Sequence, residues 1–124
     1  MNQIKVELID VNIEVSNIHL SVELNEQQAF ELQAGERMLV DSDQFAFLYI
    51  VEDQDGFHSL RFEKDCWPAL KEGYLNRTAF YAVLNEHTRL ALANLNEELD
   101  FLLENIQGNG NYGKAFEEAV KAIF

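Results

Sequence analysis

Positive charge is scarce in this sequence. Nine Lys and Arg stand against twenty-two Asp and Glu, a formal net charge of −13. Phosphate-rich partners are held by clusters of Lys and Arg, so the deficit argues against nucleic acid and against anionic membrane surfaces. The imbalance is steepest in residues 1–62, with three basic and twelve acidic side chains, against six and ten in residues 63–124. Such a surface attracts a basic patch on another protein, and it also keeps an apolar-rich domain soluble.

Cysteine is nearly absent too. Cys66 is alone, which rules out an intrachain disulfide and suits a reducing compartment. No apolar run approaches the ~20 residues that span a bilayer. The opening Met1-Asn2-Gln3-Ile4-Lys5-Val6-Glu7 lacks the basic and apolar regions of a signal peptide. The expectation is a cytoplasmic protein without a membrane segment. Of the six glycines, three fall between residues 108 and 113.

What is present is apolar and aromatic. Hydrophobic residues make up 48% of the 124, with nine Phe, enough for one packed domain. Residues 1–62 read as strand-rich. Ile4, Val6 and Leu8 alternate, a phase slip is expected near Asp10, and Ser16-Asn17 is the expected turn before Ile18 and Leu20. Residues 25–36 read as polar loop, with a short strand at Phe30 and Leu32. Phe45 to Val51 suits a strand covered on both faces. Asp53-Gln54-Asp55-Gly56 signals a hairpin turn, and Phe57 to Phe62 alternates as the partner strand. Residues 63–92 hold a short helix, Lys64 to Gly73, with Asp65 as N-cap and Gly73 as stop, then a hairpin around Asn85-Glu86-His87.

Residues 93–124 read as two helices. Leu95, Leu99, Leu102, Leu103 and Ile106 share one helical face, Asn94 with Glu97 resembles a capping box, and Gly108 suits the C′ position. Phe116, Val120 and Ile123 line a second helix. The predicted architecture is a single α+β domain. A mostly antiparallel sheet of about five to seven strands carries one short helix and a C-terminal αα-hairpin packed on it.

Candidate chemistry is sparse. An EF-hand with Gly56 at its sixth position would need oxygen ligands where Val51 and Phe62 stand. Asp41-Ser42-Asp43 offers two carboxylates for a ligand, though an Asx turn explains them as well. His19, His58 and His87 lack the spacing of a helical metal pair. Cys66 at a helix start reads as a small hydrophobe. The Gly108–Gly113 segment precedes a helix N-terminus, as phosphate cradles do. It lacks P-loop residues, however, and reads better as a tight interhelical joint. No catalytic set, metal or cofactor site emerges.

Three stretches resemble the YjbL-like family of small acidic proteins from low-GC Gram-positive bacteria. They are Met38-Leu39-Val40-Asp41-Ser42-Asp43 with Phe45-Ala46-Phe47, then Trp67, and then Leu103 through Lys114 with Phe116. The resemblance runs from Met38 to the C-terminus, with Gln107 and Gly110 departing from the lysine and polar residue common in relatives. It implies a bacterial, cytoplasmic protein without an assigned activity, so no catalytic residue carries over. The leading expectation is a non-enzymatic interaction or regulatory module for a partner with a basic surface, using Tyr112, Asn109, Asn111 and Trp67. The rival is a small-molecule or nucleotide binder or enzyme whose pocket lies between sheet and helices, using Asp41, Asp43 or the loop amides. An exposed strand edge would also permit a homodimer.

Overall fold

A computed structural model describes residues 3–108 and 110–124. Its first strand, β1 (Gln3–Val11), shows where the alternation slips. Val6 pairs with Leu20 and Leu8 with His19 of β2 (Val15–Leu20), so one residue, Glu7, is extra. A bulge of this kind flips the pleat by one residue. Ile4, Val6 and Ile9 therefore face the core, while Leu8 is 59% exposed. The slip lies at Glu7, not near Asp10. Ser16-Asn17 is not the turn either, because both residues lie within β2. The chain reverses over residues 12–14, where Asn12 N–H donates to the Val15 carbonyl at 2.9 Å. Ser16 tolerates burial because its hydroxyl meets that of Thr78 at 2.7 Å.

Residues 25–36 are not loop. Asn25 accepts from Gln28 N–H at 2.8 Å and donates its own N–H to Gln28 Oε1 at 3.1 Å. This capping box starts α1 (Glu26–Glu31). Leu24, Ala29 and Leu32 anchor the helix in the core, so Phe30 and Leu32 form no strand of their own. β3 (Gln33–Asp41) follows, and it takes four steps from Ala34 to Met38 while β4 (Ala46–Asp53) takes two from Val51 to Tyr49. Gly35 is required in that bulge, since a Cβ there would stand 2.7 Å from the Ile50 carbonyl oxygen.

The hairpin at Gln54-Asp55 joins β4 to β5 (Gly56–Glu63) as expected, and β4 is buried along most of its length. β5 does not alternate between core and solvent. His58 through Phe62 are all buried, because β5 lies between β4 and β1. A 3-10 turn, Lys64–Cys66, leads into α2 (Trp67–Leu75), with Pro68 in its first turn and no side-chain cap from Asp65. Gly73 does not stop this helix. It lies inside it, where a Cβ would stand 2.7 Å from Ser16 Oγ and 2.8 Å from the Phe80 ring.

β6 (Ala79–Val83) and β7 (Arg89–Ala91) form the second hairpin. Two helices end the chain, α3 (Leu95–Ile106) and α4 (Lys114–Ile123). Asn94 makes no capping box. It sits at a left-handed φ of 69° and its amide donates to the Glu36 carbonyl at 3.3 Å.

The seven strands run in the order β3-β4-β5-β1-β2-β6-β7, antiparallel except for β1 with β5 and β2 with β6. β1 pairs with β5 through residues 3–5 and with β2 from Val6 onward, and the sheet curls until β7 lies against β3. One face carries Ile4, Val6, Phe47, Tyr49, Leu60 and Phe62, which join Trp67, Leu70, Leu99, Phe116 and Val120 of the helices in a single core. The domain is α+β, as the strand and helix patterns predict.

Candidate functional site

Arg61 is the charged centre of the other sheet face. Its cross-strand neighbours are Leu48 and Lys5, opposite in pleat to Leu60 and Phe62. Although 6% exposed, its guanidinium is satisfied. It donates to Gln3 Oε1 at 2.9 Å, Asp41 Oδ2 at 3.1 Å, Gln44 Oε1 at 3.3 Å and Glu63 Oε2 at 3.4 Å. Lys5 adds contacts to Glu63 at 3.7 Å and Asp65 at 3.5 Å. Asp41, a ligand candidate from sequence, thus neutralises a buried arginine, and its other oxygen accepts the Gln44 N–H at 3.2 Å. Asp43 is exposed and takes no part. The signal that could have found this hub is a single Arg between the two core residues Leu60 and Phe62.

The glycine-rich joint closes on itself. Gly108, Gly110 and Gly113 hold positive φ of 69°, 63° and 86°, a region that costs other residues free energy. Gly113 N–H donates to the Gly110 carbonyl at 3.2 Å, and Gly108 N–H donates to Glu117 Oε1 at 2.8 Å. That hydrogen bond, and then Lys121 at 3.2 Å, hold the Glu117 carboxyl below the usual carboxylate range. The Gly108 amide, which a phosphate would need, already binds the chain's own carboxylate. Tyr112 is half-buried, its ring 6.3 Å from that of Phe116. Asn111 is exposed, and Asn109 lies outside the described residues.

Trp67 offers no surface to a partner. It is wholly buried, donates its indole N–H to the Phe62 carbonyl at 2.7 Å, and packs against Phe47, Phe116 and Phe124. Cys66 beside it is buried as well, and burial pushes its thiol up to about 12, with Asp65 adding to the shift. A thiol held protonated in this way is a poor nucleophile. Among the described residues no three His, Cys, Asp or Glu converge as metal ligands would.

Two features were not legible in the sequence. A cavity of about 200 Å³ opens where β6 and β7 meet the start of α3. Asn96 reaches the Thr78 carbonyl at 2.9 Å there, while its own buried Oδ1 has no partner. At the β4–β5 hairpin, His58 Nε2 stands 3.0 Å from Asp53 Oδ1. This contact first, and then the Asp55 N–H at 2.8 Å, hold Asp53 below its ordinary carboxylate range.

A family model described as a family of unknown function, UPF0738, matches residues 5–124. The chain belongs to UPF0738. The match includes β1, β2 and α1, beyond the stretch from Met38 in which the resemblance was legible. A UPF0738 protein of Shouchella clausii is 56% identical over the full length of both chains. One from Halalkalibacterium halodurans is 47% identical, covering 85% of this chain and 83% of its own. YjbL of Bacillus subtilis is 36% identical over 98% of each. No solved structure matches. UPF0738 is thus a family of low-GC Gram-positive bacteria that assigns its members no activity.

Proposed function

We propose that the chain is a non-enzymatic, cytoplasmic interaction or regulatory module whose partner presents a basic surface. The observation that carries this reading is where the cations go. Lys5, Arg61, Arg77, Lys114 and Lys121 pair with carboxylates. Arg37, Lys64 and Arg89 lie over the rings of Phe57, Phe45 and Tyr81. Among the described residues only Lys71 makes neither kind of contact. The net charge of −13 is therefore displayed outward with few cations left to balance it locally, which favours and orients a basic partner. A pull-down from lysate of a low-GC Gram-positive bacterium tests this. A partner retained at low ionic strength and released by added salt is expected, and none above background contradicts the proposal.

The unpaired Asn96 Oδ1 favours a second reading, a small-molecule binder using the cavity at the start of α3. Its polar lining is Thr78, Tyr81, Asn94, Asn96 and Glu97 rather than Asp41, Asp43 or the loop amides. A thermal-shift panel of nucleotides and small polar metabolites tests it, since a ligand of the folded state raises Tm by mass action. A shift abolished by Asn96→Ala is the expected result. A homodimer through the β3 edge would have to use the groups that α3 leaves free, and light scattering reads it directly.

A further inference from the structure

α1 presents an unpartnered face. Ala29 is its one buried residue, and Phe30 stands 86% exposed. Open depressions of about 390 to about 510 Å³ flank it. Two lie between the β2–α1 connection and the β6–β7 turn, the next beside Glu26 and Phe30, and the last between Phe30 and the β4–β5 hairpin. Neighbouring depressions share Glu23 and Glu86, then Asn25 and Glu26, then Phe30, so they lie side by side along one shallow, open channel. Its carboxylates are Glu23, Glu26, Glu31, Glu52, Asp53 and Glu86, and among the described residues lining it none is Lys or Arg. At one end His58, 6% exposed, sets its Nε2 3.0 Å from Asp53 Oδ1.

We infer that this channel docks an extended basic segment of a partner protein, with Lys or Arg side chains against the carboxylates and an apolar side chain against Phe30. This deepens the interaction-module reading and rests on it. Charge complementarity selects the occupant. A second copy of this chain brings its own −13 to the same surface, and a nucleic acid brings phosphates. Rim carboxylates contribute mainly to encounter rate and salt dependence, while an exposed aromatic at the centre is the kind of side chain that anchors an interface.

The test uses a short fluorescein-labelled peptide alternating Lys with Leu, and its Glu-for-Lys counterpart, read by fluorescence anisotropy at low ionic strength. The Lys peptide is expected to bind and the Glu peptide not. Phe30→Ala, and separately the triple change Glu23→Lys, Glu26→Lys and Glu86→Lys, should each weaken binding by about tenfold or more. The control reversal Glu72→Lys with Glu104→Lys, on α2 and α3, should leave it nearly unchanged. These side chains are exposed, and circular dichroism checks that every variant is folded. Equal weakening by the control and channel variants would overturn the channel while leaving an acidic interaction module standing. No binding of the Lys peptide to the wild type, alongside a salt-released partner in the pull-down, would overturn the channel alone. No salt-released partner in the pull-down would overturn the module reading itself. A thermal shift with calcium alone, displacing the peptide, would overturn a peptide occupant in favour of a cation.

Discussion

Glu98 on α3 accepts a hydrogen bond from the backbone N–H of Met38 on β3 at 3.0 Å. The contact satisfies a backbone amide of β3, the first strand in the sheet order, and it blunts that edge. Nearby, Tyr49 donates its hydroxyl to the Ala93 carbonyl at 2.7 Å, so the chain leaving β7 is tied to the sheet at the same place. Glu98→Ala should cost about 1–3 kcal/mol, the range for stranding a part-buried backbone donor. A urea titration reads this as a lower midpoint at unchanged slope. An unchanged midpoint would mean that water replaces Glu98 without loss.

Gly73→Ala should destabilise the protein although it favours helix. Replacing Gly within a helix gains about 1 kcal/mol, but the new methyl would press on Ser16 Oγ at 2.7 Å and the Phe80 ring at 2.8 Å. Overpacking a filled site costs about 1–3 kcal/mol. The expected net is a loss seen in thermal unfolding, and a rise in Tm would show that the neighbours give way.

Acid should loosen the C-terminal joint through Glu117. Its folded pKa lies below the ordinary value, first because of Gly108 N–H and then Lys121. The unfolded chain therefore takes up the proton first. The associated stability is fully present above an unfolded carboxylate pKa of about 4.3 and is lost as pH falls through the folded value. Tm measured from neutral pH downward should fall less steeply below that point in Glu117→Gln than in the wild type. Parallel curves would show that the carboxylate contributes nothing to the joint.

Trp67 is the sole tryptophan and a reporter of the core. Wholly buried, with its indole N–H bonded to Phe62, it should emit in the blue and resist acrylamide quenching. Cys66 should react with a thiol reagent only on unfolding, since burial holds it protonated. Rapid native-state labelling would contradict the packing of this region.

The residues that were legible in sequence are those whose neighbours are close along the chain. The Gln54-Asp55 turn, the leucine face of α3 and the left-handed Gly108 all follow from local pattern. α1 was not legible because its six residues are too few to show helical periodicity. Its one signal was Gln28 three positions after Asn25. The phase of β1 failed because a bulge depends on the partner strand. Gly73 looked like a helix stop because its real constraint, contact with Phe80, is tertiary. Asp41 and Trp67 were picked for chemistry that long-range partners, Arg61 and Phe47, absorb. The Arg61 hub and the pairing of His58 with Asp53 emerged only once the strands were placed side by side.

Amide chemical shifts of the labelled protein, titrated with the Lys–Leu peptide, read residue by residue whether a basic segment docks around α1. Docking in the channel should concentrate the shifts at residues 22–33, 52–54 and 84–87, centred on Phe30 and reversed by salt. Shifts centred instead on the Gly108–Gly113 joint or around Arg61, or none at all, would contradict it.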